Sequence, residues 1–111
     1  MKIVTRENFK AEVEEAAVPV LLEFYSERCA PCRALSATLE QLDARYGARC
    51  KFCAVDVDRQ EGLAHQFDIL RVPTMVLLHD GEIVQRISGL RSREEIIEIL
   101  NLNPDCPENN Q

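Results

Sequence analysis

The period of the apolar positions changes several times along the chain, and each change marks an element. Val20-Leu21-Leu22-Glu23-Phe24-Tyr25 is an apolar run broken by a single acid, which predicts a central strand covered on both faces. From Pro31 the apolar residues recur at Leu35, Leu39, Leu42 and Tyr46, one stripe of a helix that Gly47 is expected to stop. Upstream, Ile3-Val4 reads as a short strand, and Thr5 as the cap of a helix that turns Phe9, Val13 and Ala16 inward before Pro19. Residues 50–57 read as the next strand. Asp58 with Glu61 forms a capping-box-like start to a third helix, whose inner face is Leu63, Ala64 and Phe67. Residues 74–78, Asp80-Gly81 and residues 82–88 predict a hairpin, because Asp-Gly tolerates the positive φ angles of a tight turn. Ser92 and Glu95 cap a last helix carrying Ile96, Ile99 and Leu100.

The resulting order βαβαβαββα predicts an α/β domain of three layers, with helices on both sides of a central mixed sheet. At 111 residues and 46% hydrophobic, the chain suits one domain with one core, over residues 1–102; the polar residues 103–111 are expected to fray. Charged residues interrupt every apolar run before it reaches the length of a signal peptide or a membrane span, so a cytoplasmic protein is expected. Lys and Arg number 13 against 19 Asp and Glu, and the net charge of −6 with no basic run speaks against nucleic acid as a partner.

The candidate chemistry lies where the central strand gives way to a helix, at Arg28-Cys29-Ala30-Pro31-Cys32. A helix start presents unpaired N–H groups and a positive dipole end, which favour a thiolate at the first cysteine. Cys29 is therefore the candidate nucleophile. One helical turn brings Cys32 close enough to attack a mixed disulfide formed on Cys29, so Cys32 is the candidate resolving thiol. The five cysteines are an odd number, which argues against a fully paired secreted framework and fits a reducing compartment with a transient catalytic disulfide. A second pair, Cys50 and Cys53, completes a spacing compatible with a four-thiolate zinc site. Against that reading, residues three apart on a strand face opposite sides, and the two are expected to be small buried strand residues. Cys106, in the polar tail, is expected to be a bystander.

The apolar strand with one acid, Cys-Ala-Pro-Cys at a helix start, Arg71-Val72-Pro73-Thr74 before a strand, and Asp80-Gly81 ahead of Gly89 occur together in this order. By these features the chain resembles the thioredoxin family over residues 1 to about 102. The resemblance implies a thioredoxin fold with a five-stranded sheet and an enzyme that reduces protein disulfides through a Cys29–Cys32 dithiol-disulfide cycle. It also implies a cis Pro73 that positions substrate and a proton-transfer role for Glu23, whose bland alternative is a carboxylate reaching water at a strand edge. Arg28, Ala30, Pro31, Val72, Gly89 and Leu90 are implied as the docking surface. No bound cofactor is implied; the partners are disulfide-containing proteins and a thioredoxin reductase, most often a flavoprotein, and the chain is expected to be a monomer. Three departures stand out: Arg28 replaces the usual tryptophan, Ala30 the usual glycine, and Ala54 a lysine that often accompanies the buried acid. Arg28 is expected either to favour the Cys29 thiolate or to point into solvent. A non-catalytic binding or chaperone use of the fold, and a glutaredoxin-like use of glutathione, are the other readings.

Overall fold

The computed structural model describes residues 1–102. Five strands, β1 (Lys2–Ile3), β2 (Val20–Tyr25), β3 (Lys51–Asp56), β4 (Thr74–His79) and β5 (Glu82–Ser88), form one sheet in the order β1-β3-β2-β4-β5. β1, β3 and β2 run parallel, and β4 and β5 are antiparallel to their neighbours. The mixed sheet expected from the element order is therefore present. The Asp80-Gly81 turn takes φ angles of 54° and 79°, the left-handed values that let two residues join twisted strands.

Alternation along β2 sorts its side chains onto two cores. Leu21 packs on one face with Leu35, Leu39 and Leu42 of α1 (Ala30–Tyr46) and Ile96 and Leu100 of α3 (Arg93–Leu102). Leu22 and Phe24 pack on the other with Val13, Leu63 and Phe67, the last two in or beside α2 (Glu61–Gln66). Helices thus cover both faces, and β2 is buried except at its last residue, as a continuous apolar run requires.

Two helix starts differ from the sequence expectation. The helix expected from Thr5 is reduced to a five-residue π-helical turn, Lys10–Glu14, with Phe9 and Val13 still inward. Asn8 organises the approach instead: its Oδ1 accepts from the Thr5 N–H at 2.8 Å and its Nδ2 donates to the Ile3 carbonyl at 3.1 Å. Asp58 does not cap α2, which begins after Gln60 without a side-chain cap. The Asp58 carboxylate is held by the hydroxyl of Ser26, 2.7 Å away, in the loop that precedes Cys29. The reciprocal Ser92–Glu95 capping box forms as expected, with bonds of 2.8 and 3.1 Å. Gly47 ends α1 at an ordinary φ of −59°; a Cβ there would lie 2.6 Å from the Asp43 carbonyl, so close approach rather than a left-handed cap calls for glycine.

Candidate active site

The site forms where the C-terminal end of β2 meets the start of α1, a position fixed by burial of the strand and of the Leu35-Leu39-Leu42 stripe. Cys29 is the residue that caps α1, in an extended conformation, and its sulfur accepts the Cys32 N–H at 3.2 Å. Proline in the first turn costs no hydrogen bond, because the first N–H groups of a helix are unpaired in any case. Cys29 and Cys32 are joined by a disulfide across a Cα–Cα distance of 5.2 Å. Their surroundings differ: Cys29 is partly exposed, whereas Cys32 is 1% exposed. The sulfur that outside molecules can reach is thus the one nearest the unpaired N–H groups of the helix.

Three loops meet at this sulfur. The Val72 carbonyl lies 3.9 Å from Cys29 Sγ, and the Val72–Pro73 peptide bond is cis. The Pro73 carbonyl accepts the Gly89 N–H at 2.8 Å, which places the Gly89-Leu90 turn beside the same segment. Gly89 has φ of 90°, a value strained for residues with a Cβ. Ala30, Pro31 and Leu90 are exposed around the disulfide. The expected docking residues are therefore brought together. The Arg28 guanidinium lies 3.6 Å from Asp58 and its side chain is 84% exposed.

Glu23 is fully buried on the α1 side of the sheet, in register with Ala54 on β3 and Met75 on β4. Neither neighbour supplies a cation. Burial pushes its carboxyl up from 4.5 to about 7, opposed by the hydrogen bond from Ser36; the charge of Glu40 adds to the rise. The bland reading of a strand-edge carboxylate open to water is overturned by this burial. The Ser36 hydroxyl donates to both Glu23 oxygens, at 2.8 and 2.9 Å. Ser36 and Cys32, four apart on α1, line one cavity of about 280 Å³ together with Tyr25, Ser26, Glu27 and Arg33. The buried acid is thereby linked through Ser36 to the space beside the buried sulfur.

Ser36 is the site residue that sequence reasoning missed, although a polar residue four after Cys32 on a helix with an apolar stripe was its signal. Because the Ser36 hydroxyl stabilises the charged form of the acid, Ser36→Ala is expected to raise the Glu23 midpoint by about one pH unit. A pH titration followed by the carboxyl carbon resonance of Glu23 would show the rise; an unmoved midpoint would mean that the bond carries no weight.

The four-thiolate zinc arrangement has no geometric basis here. Cys50, one residue before β3, packs in the α1 core and Cys53 in the opposite one. Among the described residues, no group of three or more His, Cys, Asp or Glu side chains is placed to hold a metal ion. Burial also pushes the Cys53 thiol up to about 11, the reverse of a ligand thiolate. Cys106 lies outside the described residues.

A redox disulfide capping a helix, one sulfur reachable and one buried, on a mixed sheet covered on both faces, defines the class of thiol-disulfide oxidoreductases that carry electrons on their own cysteines. Comparison with known proteins agrees. The Thioredoxin family model matches residues 1–102. Thioredoxin C-2 of Corynebacterium nephridii is 35% identical over 99 residues, covering 89% of this chain and 92% of that protein. The thioredoxin of Bacillus subtilis is 33% identical over 97 residues, 87% and 91% of the two chains. That of Listeria monocytogenes is 33% identical over 101 residues, 91% and 96%. The chain belongs to the thioredoxin family and is a thiol-disulfide oxidoreductase.

Proposed function

We propose that the protein reduces disulfides in partner proteins by a cycle in which Cys29 attacks and Cys32 resolves. The observation that carries this reading is the asymmetry of the pair, with the reachable sulfur at the start of α1 and the buried one a turn behind it. In the reduced form the Cys29 thiolate displaces one sulfur of a target disulfide and becomes joined to the other. The Cys32 thiol passes its proton toward Glu23, attacks Cys29 Sγ and releases the second target thiolate. Two electrons have then moved from the dithiol to the target, and Cys29–Cys32 is left as the disulfide seen here.

A carboxyl with a midpoint near 7 can both take and return a proton at neutral pH, which supports the proton-transfer role of Glu23. Pro73 and the backbone of half-buried Val72 would align an extended segment of the substrate. Arg28, Ala30, Pro31, Gly89 and Leu90 would complete the docking surface. The two sulfurs suffice as the redox group, so no bound cofactor is needed, and a separate reductase, proposed to be a flavoprotein, would recharge them. The working unit is residues 1–102, acting as a monomer. No helix among the described residues is long and apolar enough to cross a membrane, and a cytoplasmic location suits a protein kept reduced.

Insulin reduction driven first by dithiothreitol and then by a flavin-dependent reductase tests the reading. Catalysed precipitation of the insulin chains in both systems is expected. A rate equal to dithiothreitol alone would overturn it.

A further inference from the structure

The net charge of −6 is not spread evenly over the fold. Each segment that meets at the disulfide carries an arginine within two positions of a site residue: Arg28 beside Cys29, Arg33 of α1 beside Cys32, Arg71 beside Val72, and Arg91 two after Gly89. They come from three separate stretches, 28–33, 71 and 91, which the fold brings to the disulfide through the Cys29–Val72 and Gly89–Pro73 contacts. Three of the arginines are held in place. The Arg33 guanidinium donates to the Glu27 carbonyl at 3.0 Å, back across the junction at which Cys29 caps α1. The Arg91 guanidinium donates to the Ser88 carbonyl at 2.8 Å and lies over Gly89. Arg28 rests against Asp58. Arg71 is exposed. On its side of the site a cleft of about 340 Å³ is lined by Leu70, Arg71, Arg86 and Ser88, with Thr74 and Asp68. Arg86 is fixed there by donating to the Phe67 carbonyl at 2.6 Å.

The acids beside these arginines are Glu27, Asp58, Asp68 and, close to Arg91, Glu95; Asp58 is already shared between Ser26 and Arg28, and Glu95 is bonded to Ser92. Five guanidiniums, Arg28, Arg33, Arg71, Arg86 and Arg91, stand against four carboxylates, a net positive rim on an acidic protein. A guanidinium anchored through one N–H keeps others free in a planar fork that matches a carboxylate, and less side-chain freedom is lost when it binds one. The site residues next to these arginines, Ala30, Pro31, Val72 and Leu90, are uncharged and at least partly exposed.

We propose that this collar of arginines selects, among protein disulfides, those whose half-cystine lies in an extended segment carrying acidic residues on both sides. The inference rests on the reading of the site as a protein-disulfide reductase. It gives that site a substrate class: a partner with Asp or Glu near the target cysteine. The rest of the chain is net acidic, so the collar also steers the encounter.

The test uses the full chain and three peptides, each with one disulfide to a fluorescent leaving thiol and with Glu, Gln or Lys at the two positions on either side of the cysteine. At 20 mM salt, kcat/KM is expected to fall from Glu to Gln to Lys, with about tenfold between the extremes, as several rim ion pairs of modest strength would give. At 500 mM salt the spread should shrink to within about twofold. The double variant R71E/R91E is expected to reverse the order. Equal kcat/KM for the three peptides at low salt, or a preference for Lys, would overturn the proposal, and the salt series on the unaltered chain decides this without the variant. Failure to reduce any of the three would overturn the reductase reading and this inference with it.

Discussion

Replacing Cys29 by serine is expected to lower protein-disulfide reduction by at least about a thousandfold, because the reachable nucleophile is gone and Cys32, 1% exposed, cannot stand in for it. Cys32→Ser should fail differently. Its Cys29 still has the sulfur position at the start of α1 and the Cys32-position N–H that the sulfur accepts, so attack survives while release does not. With a disulfide-bonded protein as substrate, about one equivalent of mixed disulfide per chain should accumulate and persist until a small thiol is added. Intact mass measurement distinguishes the two variants. Equal amounts of trapped partner on both would show that the two sulfurs are interchangeable, and the division of labour would be wrong.

The second large effect concerns Glu23 and reaches stability as well as rate. Its carboxyl titrates near 7 in the folded chain, against 4.5 ordinarily, because it is buried. Between those values the folded chain holds a proton that the unfolded chain has lost, so stability falls as pH rises and is lowest above about 7. The cost is roughly 3 kcal/mol at pH 8, an order-of-magnitude figure from about 1.4 kcal/mol per pH unit. Glu23→Gln removes the titration. Urea unfolding of the variant is expected to show a flatter pH dependence between 4.5 and 7 and a gain of about 1 to 2 kcal/mol at pH 8, part of the gain being lost to an amide N–H without a partner. The same variant should reduce protein disulfides at least about tenfold more slowly at neutral pH and lose the inflection near 7, since no group then receives the Cys32 proton. Rates unchanged across neutral pH would rule out the proton role, even if the stability gain appeared.

These effects follow from features that were unevenly visible along the chain. The β2 run, the α1 stripe and the Asp80-Gly81 hairpin are local patterns whose period or turn chemistry specifies one structure, and all three form where expected. Cys29 and Cys32 were legible for the same reason, since a strand-to-helix junction with Cys-x-x-Cys places both thiols at a helix start. Glu23 stood out as one acid in an apolar run. Its partner did not, because the bond from Ser36 depends on how α1 lies over β2, a matter of tertiary packing between residues 13 apart. The helix starts expected at Thr5 and Asp58 misled for a related reason. Each could serve more than one backbone or side-chain partner, and Asp58 was claimed by Ser26 rather than by the helix it precedes. The arginines of the rim were hidden because they come from four separate segments, and charge counted along the sequence shows only an acidic chain.

Thiol mapping across a series of dithiothreitol redox buffers, with rapid alkylation and peptide mass analysis of the native chain, addresses the redox pair itself. Cys29 and Cys32 are expected to pass together from alkylated to protected in a single two-electron transition, while the buried Cys50 and Cys53 stay unmodified throughout. Independent titration of Cys29 and Cys32, or a reversible bond formed by Cys50 or Cys53 in their place, would contradict the mechanism.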